Sequence, residues 1–342
     1  MKRVGNLTER IADYDNLLEA YRKACRGKRG KKEVMAFADN LDENIASLRR
    51  QILSGHADVG HYSHFTIFEP KQRSICAAAF HERVLHHAII NVCEEHFDRN
   101  MIDTTYATRR GKGVYAAIDK AVAAMSRYDY SVKLDVRKYY DSISHEVLMS
   151  MLRQKFCDPL LLGIFNDIVV SYSTSEGRGL PIGNLTSQYF ANFYLSPLDH
   201  YIKERLRIPM YIRYMDDMLL ACDSLDELHD AVRQVTAYLS ENMLLCVKPP
   251  VYRRNKCGQC FLGYKVLPYR CELSGRSKRR FRTKYLRYER MFDEGVWSEQ
   301  EYAEHILPLL AFVQHAVSRR FRESCMAQKA TKGKGRGVGL TA

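Results

Sequence analysis

Two adjacent carboxylates, Asp216 and Asp217, lie between two short hydrophobic runs. Runs of this length on both sides of an Asp-Asp pair predict a β-hairpin with both acids at its tip. Two carboxylates held this close repel each other, so a hairpin that keeps both ionised needs cations to offset the charge. A lone Asp-Asp pair is more typical of a solvated turn, so the interpretation depends on a third acid upstream.

That third acid is Asp135, in a segment where apolar and polar residues alternate over residues 131–136. This alternation predicts a half-buried strand with Asp135 on its open face. Placed beside the hairpin, the strand would gather three carboxylates at one edge of a sheet. Such a cluster suits two Mg²⁺ ions, which prefer oxygen ligands and leave room for substrate phosphates. The pattern therefore predicts nucleotidyl transfer assisted by two metals.

The chain of 342 residues carries a formal net charge of +13, which predicts a polyanionic partner, most simply nucleic acid. The basic residues form two blocks. The first block contains Arg22, Lys23, Arg26, Lys28, Arg29, Lys31 and Lys32. The second block, interleaved with aromatic residues, contains Arg276, Lys278, Arg279, Arg280, Arg282, Lys284, Arg287 and Arg290. A solvated helix face would also carry such residues, but the scarcity of acids in both blocks favours contact with phosphates.

No segment approaches the roughly 20 apolar residues of a membrane span, and the first residues lack the apolar core of a signal peptide. Ten cysteines are scattered through apolar segments, as in reduced cytoplasmic proteins. Cys257 and Cys260, with Cys271 beyond them, lack the second pair or nearby histidine that a tetrahedral zinc site needs. We therefore expect a cytoplasmic protein with no membrane partner and no zinc at these cysteines.

Hydrophobic periodicity and turn residues predict the order of the elements. The first elements are a helix over 41–52 that stops at Gly55, a hairpin over 65–75 with Pro70 in its turn, and helices over 82–97 and 114–125. The strand of Asp135 is followed by helices near 145–156 and 186–206, the Asp-Asp hairpin, a helix that starts at a capping box over 224–227, and a strand near 244–248. This order is the split βαβ unit, with one sheet face covered by helices and the other open for substrate.

Taken in order, these segments resemble the motifs of reverse transcriptases over residues 39–264. The hairpin resembles the fingers, residues 133–143 and 214–217 resemble the two acidic motifs of the palm, and the turn at Phe261, Leu262, Gly263 and Tyr264 resembles the primer grip. The resemblance implies an α+β fold, a right-hand polymerase with fingers, a ferredoxin-like (split βαβ) palm and a helical thumb. The implied domains are 1–130 for N-terminal helices and fingers, 131–265 for a palm with an inserted fingers or helical segment at about 145–185, 266–326 for a helical thumb, and 327–342 for a basic flexible tail.

The segment over 180–188 indicates the subfamily. Ile182 stands where most reverse transcriptases carry Gln, and Ser187-Gln188 stands where Ser-Pro is common. This form is similar to the enzymes of diversity-generating retroelements, as are residues 83–88 and 106–113. Retron enzymes are the nearest rival, but the chain lacks the Asn-Ala-x-x-His and Val-Thr-Gly sequences of that group. Glu82 departs mildly from the pattern, because Asp is more usual there.

The resemblance also implies roles for the acidic cluster. Asp135 and Asp216 would ligate two Mg²⁺ ions with the carbonyl of Val136, and Mn²⁺ is able to substitute. Asp217 would contribute charge and a looser contact. Since the primer 3′-hydroxyl and the triphosphate meet at these ions, the three acids are the predicted catalytic residues.

The implied nucleotide pocket surrounds that cluster and comprises Lys71, Arg73, Tyr140, Ile182, Gly183, Gln188 and Lys248. Lys71 and Arg73 would contact the triphosphate. The ring of Tyr140 would exclude a ribose 2′-hydroxyl, with Tyr139 as the competing assignment and core packing as the alternative for both. The basic residues Arg276, Lys278, Arg279, Arg280, Arg282 and Lys284 would bind nucleic acid.

The implied activity is RNA-directed DNA synthesis that copies a template-repeat RNA into cDNA with errors opposite adenines. The implied partners are the template RNA, the cDNA or primer strand, deoxynucleotides and an oligomeric accessory variability protein, in a bacterial or phage-encoded system. Two alternatives stay open: a retron-like or other defence reverse transcriptase of ordinary fidelity, and a catalytically silent nucleic-acid scaffold on the polymerase fold.

Overall fold

The computed structural model of the protein describes residues 3–68 and 72–334. Six helices precede or accompany the fingers: α1 (Thr8–Ile11), α2 (Tyr14–Ala24), α3 (Lys32–Asp39), α4 (Leu41–Ser54), α5 (Phe80–Asp98) and α6 (Val114–Arg127). Strands β1 (Tyr62–Ile67) and β2 (Arg73–Ala78) pair antiparallel between α4 and α5. The predicted hairpin and the helices beginning near 41, 82 and 114 are therefore confirmed, and Gly55 ends α4 with a φ of 75°. Pro70, predicted to lie in the turn of the hairpin, and Lys71 lie outside the described residues.

The central sheet contains four antiparallel strands in the order β4-β5-β3-β6. They are β3 (Tyr130–Asp135), β4 (Met210–Tyr214), β5 (Asp217–Cys222) and β6 (Val251–Arg254). Between β3 and β4 lie α7 (Tyr139–Ser142), α8 (His145–Lys155), α9 (Pro159–Val170), α10 (Leu185–Tyr194), α11 (Ser196–His200) and a π-helical turn (Tyr201–Arg205); α12 (Leu225–Met243) joins β5 to β6. This arrangement confirms the α+β class and the split βαβ topology.

The second face of the sheet is packed over β4 and β5, whereas over β3 and β6 it stays open at Lys133, Asp135, Val251 and Arg253. The expectation of an open second face is therefore confirmed for that half of the sheet and wrong for the other half. Met218 and Leu220 belong to the large helical core, whereas Ile212, Leu219 and Ala221 belong to a second core with α6 and the C-terminal elements. The cause is the continuous apolar run of β5, which buries alternate residues on both sides. Substrate access is therefore open over β3 and β6 on this face, up to the edge where β3 ends and β5 begins.

Two element predictions need correction. The final strand is β6, and the strand predicted over 244–248 is not formed. Leu244 ends α12 with a φ of 54°, and two prolines follow Lys248. Within the predicted segment, Val247 forms an isolated bridge with Val136. The helix predicted over 186–206 is divided at Leu195, since Pro197 begins a new helix. Helix α9 was not predicted, although Asp158 at its N-cap and Pro159 at its first position are typical start signals.

The C-terminal part combines a small sheet with three helices. Its strands are β7 (Gln259–Phe261), β8 (Tyr264–Leu267) and β9 (Arg270–Leu273), and its helices are α13 (Gly275–Asp293), α14 (Glu299–Gln314) and α15 (Arg319–Lys334). A palm–thumb boundary at 265 would cut β8. Helix α15 extends into the tail predicted over 327–342, so that tail is helical to Lys334; residues 335–342 lie outside the described part. No helix within the described ranges has the length and apolar character to cross a membrane.

Candidate active site

The sheet register brings the three predicted acids to one edge. Asp135, the last residue of β3, lies opposite Asp217, the first residue of β5. Asp216 occupies the tight turn between β4 and β5, directly after Met215, which has a φ of 52°. Because β5 is the neighbour of β3 in the sheet, the end of β3 and the start of β5 meet, and the three acids lie together.

Two lysines neutralise the outer acids. Lys133 Nζ lies 2.6 Å from Asp217 Oδ1, and Lys248 Nζ lies 2.7 Å from Asp135 Oδ1. The backbone also fixes Lys248, whose N–H donates to the carbonyl of Asp135 at 2.8 Å. The edge therefore holds its negative charge by pairing it with cations, as the sequence analysis required.

Asp216 is the acid left without an ion pair among the described residues. Burial, followed by repulsion from Asp217 and Asp135, raises its pKa to about 6. A buried carboxylate with this unrelieved repulsion is a strong ligand for a divalent cation. Three carboxylates and the nearby carbonyl of Val136 form the all-oxygen donor set that Mg²⁺ prefers, so these residues fit the predicted ions.

A buried ion pair holds the turn that carries Asp216. Arg213 in β4 and Asp199 in α11 are both fully buried and pair through two guanidinium nitrogens. A third nitrogen of Arg213 donates to the carbonyl of Met215 at 3.2 Å. Asp199 also accepts hydrogen bonds from Thr105 and Tyr211, at 3.0 and 2.8 Å. This pair was not predicted from the sequence. The available signal was Arg213 itself, because an arginine inside an apolar strand needs a buried partner of opposite charge.

The two tyrosines that compete for the sugar-facing position occupy different environments. Tyr139 is 3% exposed and its hydroxyl donates to the carbonyl of Ala191, so its ring packs in the core. Tyr140 is half-buried, and its pKa is raised by burial and by Asp216, whereas Arg73 lowers it. Tyr140 is therefore the tyrosine whose hydroxyl responds to the charges of both the acidic edge and Arg73.

The loop that contains Ile182 docks against the fingers hairpin. The carbonyl of Ile182 accepts a hydrogen bond from the N–H of Cys76 in β2 at 2.8 Å. Gly183 has a φ of 134°, and a Cβ there would lie 2.7 Å from the carbonyl oxygen of Cys76. Glycine is therefore required for this close approach. Gln188 lies on the following helix, α10, and is half-buried.

The turn that resembles the primer grip joins β7 to β8 through Leu262 and Gly263, which have φ angles of 46° and 88°. The carbonyl of Gly263 accepts hydrogen bonds from Ser277 Oγ at 2.6 Å and from Ser274 N at 3.2 Å. Phe261 and Tyr264 on either side are buried, and the hydroxyl of Tyr264 donates to the carbonyl of Phe312 at 2.7 Å. These contacts fix the turn to the start of α13 and the end of α14.

The second basic block lies on α13. Arg276, Lys278, Arg279 and Arg282 are exposed, whereas Arg280 and Lys284 are partly buried. Arg280 stacks over Phe312, and Lys278 and Arg282 stack over Phe321. Rings from α14 and α15 therefore support the guanidinium and ammonium groups on the surface of α13, whereas the interleaved Phe281 and Tyr285 are buried.

In the presence of a metal chelator, Asp216→Asn should raise the free energy of unfolding at pH 8 by about 2 to 3 kcal/mol. An acid whose pKa is about 6 in the folded chain and 3.8 when unconstrained binds its proton more tightly when folded. Its ionisation therefore costs stability, which falls as the pH rises from about 4 to about 6 and stays reduced above that range. Urea unfolding from pH 4 to pH 8 measures the effect. The exposed Asp226→Asn variant serves as the control, and an identical pH profile for Asp216→Asn and the parent would contradict the account.

Arg213→Met should destabilise the fold by about 3 to 5 kcal/mol, because it leaves the buried carboxylate of Asp199 without its partner. The double variant Arg213→Met/Asp199→Leu should lose less than the sum of the two single variants, since it removes both charges. Arg233→Met, which breaks an exposed ion pair with Asp230, should cost less than about 1 kcal/mol. Denaturant midpoints measure all four variants, and additive losses in the double variant would refute the coupling.

Comparison with known proteins gives a family match over residues 69–250, to the family described as reverse transcriptase (RNA-dependent DNA polymerase). Protein YkfC of Escherichia coli K12 is 22% identical over 180 residues, which cover 48% of this chain and 47% of that protein. Among solved structures, telomerase from Candida albicans in complex with a TWJ fragment of telomeric RNA has 14% identity and a TM-score of 0.45, covering 77% of this chain and 54% of that one. Apo telomerase from Candida tropicalis has 11% identity and a TM-score of 0.44, covering 67% and 52%.

These matches span about half the length of each relative. The family match covers more than half of this chain and includes the acidic edge, the Ile182 loop and the residues that support them. The chain therefore belongs to the reverse transcriptase family.

Proposed function

We propose that the protein is an RNA-directed DNA polymerase of a diversity-generating retroelement, which copies a template-repeat RNA into cDNA with errors opposite adenines. One observation carries the polymerase assignment: the register of β3 and β5 sets Asp135 opposite Asp217, with Asp216 in the adjoining turn. This edge adjoins the uncovered face of β3 and β6, so a primer end and a nucleotide can reach it.

The acids and their lysines have distinct roles in this proposal. Asp135 and Asp216, with the carbonyl of Val136, would hold two Mg²⁺ ions. When bound, these ions supply a lowered pKa at the primer 3′-hydroxyl and neutralise charge on the triphosphate. Asp217 adds negative charge and is oriented by Lys133. Lys248, which pairs with Asp135 in the protein alone, is the candidate proton donor to pyrophosphate.

The fingers and the Ile182 loop would bind the nucleotide. Arg73 begins β2, two residues after Lys71 in the sequence, and its guanidinium suits contact with a phosphate. The Ile182 loop is hydrogen-bonded to the same strand, so movement of the hairpin onto a triphosphate would carry both elements. Ile182, Gly183 and Gln188 would then border the base and sugar.

Nucleic acid and an accessory protein are the proposed macromolecular partners. The turn at Gly263 is hydrogen-bonded to Ser277 at the start of α13, so a strand held at that turn would pass along the exposed basic residues of this helix. An oligomeric accessory variability protein is proposed from the subfamily resemblance at 180–188. Template RNA, the growing cDNA and deoxynucleotides complete the set.

The activity is tested by primer extension on an RNA template with deoxynucleotides and Mg²⁺, with accessory protein and native RNA supplied in parallel. Asp135→Asn should reduce the rate by about 10³-fold or more, because the metals provide several kcal/mol of transition-state stabilisation. Asp226→Asn, an exposed acid on α12, should retain the rate. RNA binding without any cDNA under all conditions would replace the polymerase with a silent scaffold.

Tyr140→Ala should increase the use of ribonucleotides relative to deoxynucleotides by at least about tenfold, since removal of the ring opens space for a 2′-hydroxyl. Tyr139→Phe is the matched control, because it removes only a hydroxyl bonded in the core. The ratio of kcat/KM values for the two nucleotide types measures the effect. An increase in Tyr139→Phe and none in Tyr140→Ala would reverse the assignment.

Ile182→Gln should lower the error frequency opposite template adenine by several-fold, because a hydrogen-bonding side chain restores directional contact in the pocket. Ile182→Val keeps an apolar side chain and should keep the errors. Sequencing of the cDNA measures both frequencies. Accurate cDNA from the parent enzyme would favour the retron-like alternative, and unchanged errors in Ile182→Gln would exclude this residue as their cause.

A further inference from the structure

A cluster of nitrogen and oxygen ligands lies at the base of the fingers hairpin, separate from the acidic edge. One ligand atom from each of Asp58, His61 and His81 lies within 4.8 Å of the other two. His61 directly precedes β1, and His81 follows β2 as the second residue of α5. The N–H of Ala79 donates to the carbonyl of His61 at 3.0 Å, so the backbone joins the two ends of the hairpin at this point.

A buried carboxylate orients the first histidine. Glu82 is fully buried and accepts hydrogen bonds from the N–H groups of Gly60 and His61, at 2.9 and 2.8 Å. Its Oε1 also lies 3.1 Å from Nδ1 of His61. A proton on Nδ1 would leave a lone pair on Nε2, which lies 3.7 Å from Asp58 Oδ1. Metal-binding histidines commonly donate one ring N–H to a carboxylate, which leaves the other ring nitrogen to bind the ion. Glu82 and His61 have this arrangement, and Asp58 lies on the side of the second nitrogen.

The second histidine carries an unsatisfied nitrogen. Nε2 of His81 is shielded from solvent and has no hydrogen-bond partner in the described part of the chain. A buried ring nitrogen without a partner costs free energy, and such groups are rare in folded proteins. Asp58 and His81 also line a cavity of about 490 Å³, which leaves room for a water molecule beside them.

We propose that Asp58, His61 and His81 bind one divalent transition-metal ion, Zn²⁺ in preference to Mg²⁺. Two imidazoles and one carboxylate are the donors that Zn²⁺ accepts, and water completes the four positions of its tetrahedral shell. Mg²⁺ prefers oxygen donors alone, so this site is chemically distinct from the acidic edge. The ion would fasten the loop before β1 to the start of α5 and so brace the base of the hairpin.

The site is tested by titrating Co²⁺ into the full-length protein and recording its visible d–d absorption, followed by competition with Zn²⁺. The exposed thiols of Cys257 and Cys260 would compete for these ions, so the parent for all measurements carries Cys257→Ser and Cys260→Ser. The titration is made in excess Mg²⁺, which occupies the acidic edge. One equivalent of Co²⁺ should then bind at this cluster, and Zn²⁺ should displace it.

Asp58→Asn and His81→Gln should each weaken Co²⁺ binding by at least about tenfold, because each removes one of three protein ligands. His56→Gln is the matched control: His56 lies two residues before Asp58 with an 83% exposed side chain. Its affinity should equal that of the parent. Since Asp58 is 68% exposed, Asp58→Asn should fold normally and decides the test even if His81→Gln does not fold.

Zn²⁺ should also raise the melting temperature and slow proteolysis between β1 and β2 in the parent, and chelator should reverse both changes. Asp58→Asn should show neither change. These measurements do not require polymerase activity, so they separate this site from the proposed function. Absence of Co²⁺ binding in the parent, or equal affinity in the parent, Asp58→Asn and His81→Gln, would overturn the proposal and leave the cluster as an ordinary group of hydrogen-bonded side chains.

Discussion

The buried ion pair between Arg213 and Asp199 is the interaction on which the acidic edge depends. Desolvation of two full charges is costly, and the structure offsets that cost with hydrogen bonds from the surrounding strands and helices. Because Arg213 also donates to the carbonyl of Met215, the pair ties the turn of Asp216 to α11. The position of one carboxylate therefore follows from packing on the far side of β4, and a well-formed hairpin alone would not fix it.

Charge balance is the second constraint on the site. The edge collects three acids, and among the described residues Asp135 and Asp217 have lysine partners, at 2.7 and 2.6 Å, whereas Asp216 has none. Burial, together with repulsion from Asp217 and Asp135, raises the pKa of Asp216. Divalent ions would relieve the repulsion at Asp216 and compete with Lys133 and Lys248 for the outer carboxylates. The two lysines thus limit the repulsion at the edge in the protein alone, and Asp216 is the carboxylate that would gain most from a bound cation.

The acidic edge could be predicted from the sequence because alternation of apolar residues defines β3, and apolar runs define β4 and β5. Features that depend on distant packing could not. Asp199, the partner of Arg213, lies on α11, which is a separate helix from α10. The single helix predicted over 186–206 does not include this division. Burial of both faces of β5 and the shift of the last strand to Val251–Arg254 likewise depend on α6 and on the left-handed end of α12. The ligand set at Asp58, His61 and His81 needs the hairpin to bring residues 20 positions apart together.

A crystal structure of the protein with an RNA template, a DNA primer, a non-reactive deoxynucleotide and Mn²⁺, located by its anomalous scattering, tests the central claim most directly. The account predicts two Mn²⁺ ions about 3.5 to 4 Å apart, held by Asp135 and Asp216, with Lys248 Nζ no longer bonded to Asp135. It also predicts the nucleotide sugar against Tyr140. Bound primer and template with both lysine–carboxylate pairs intact and no Mn²⁺ at this edge would contradict the account.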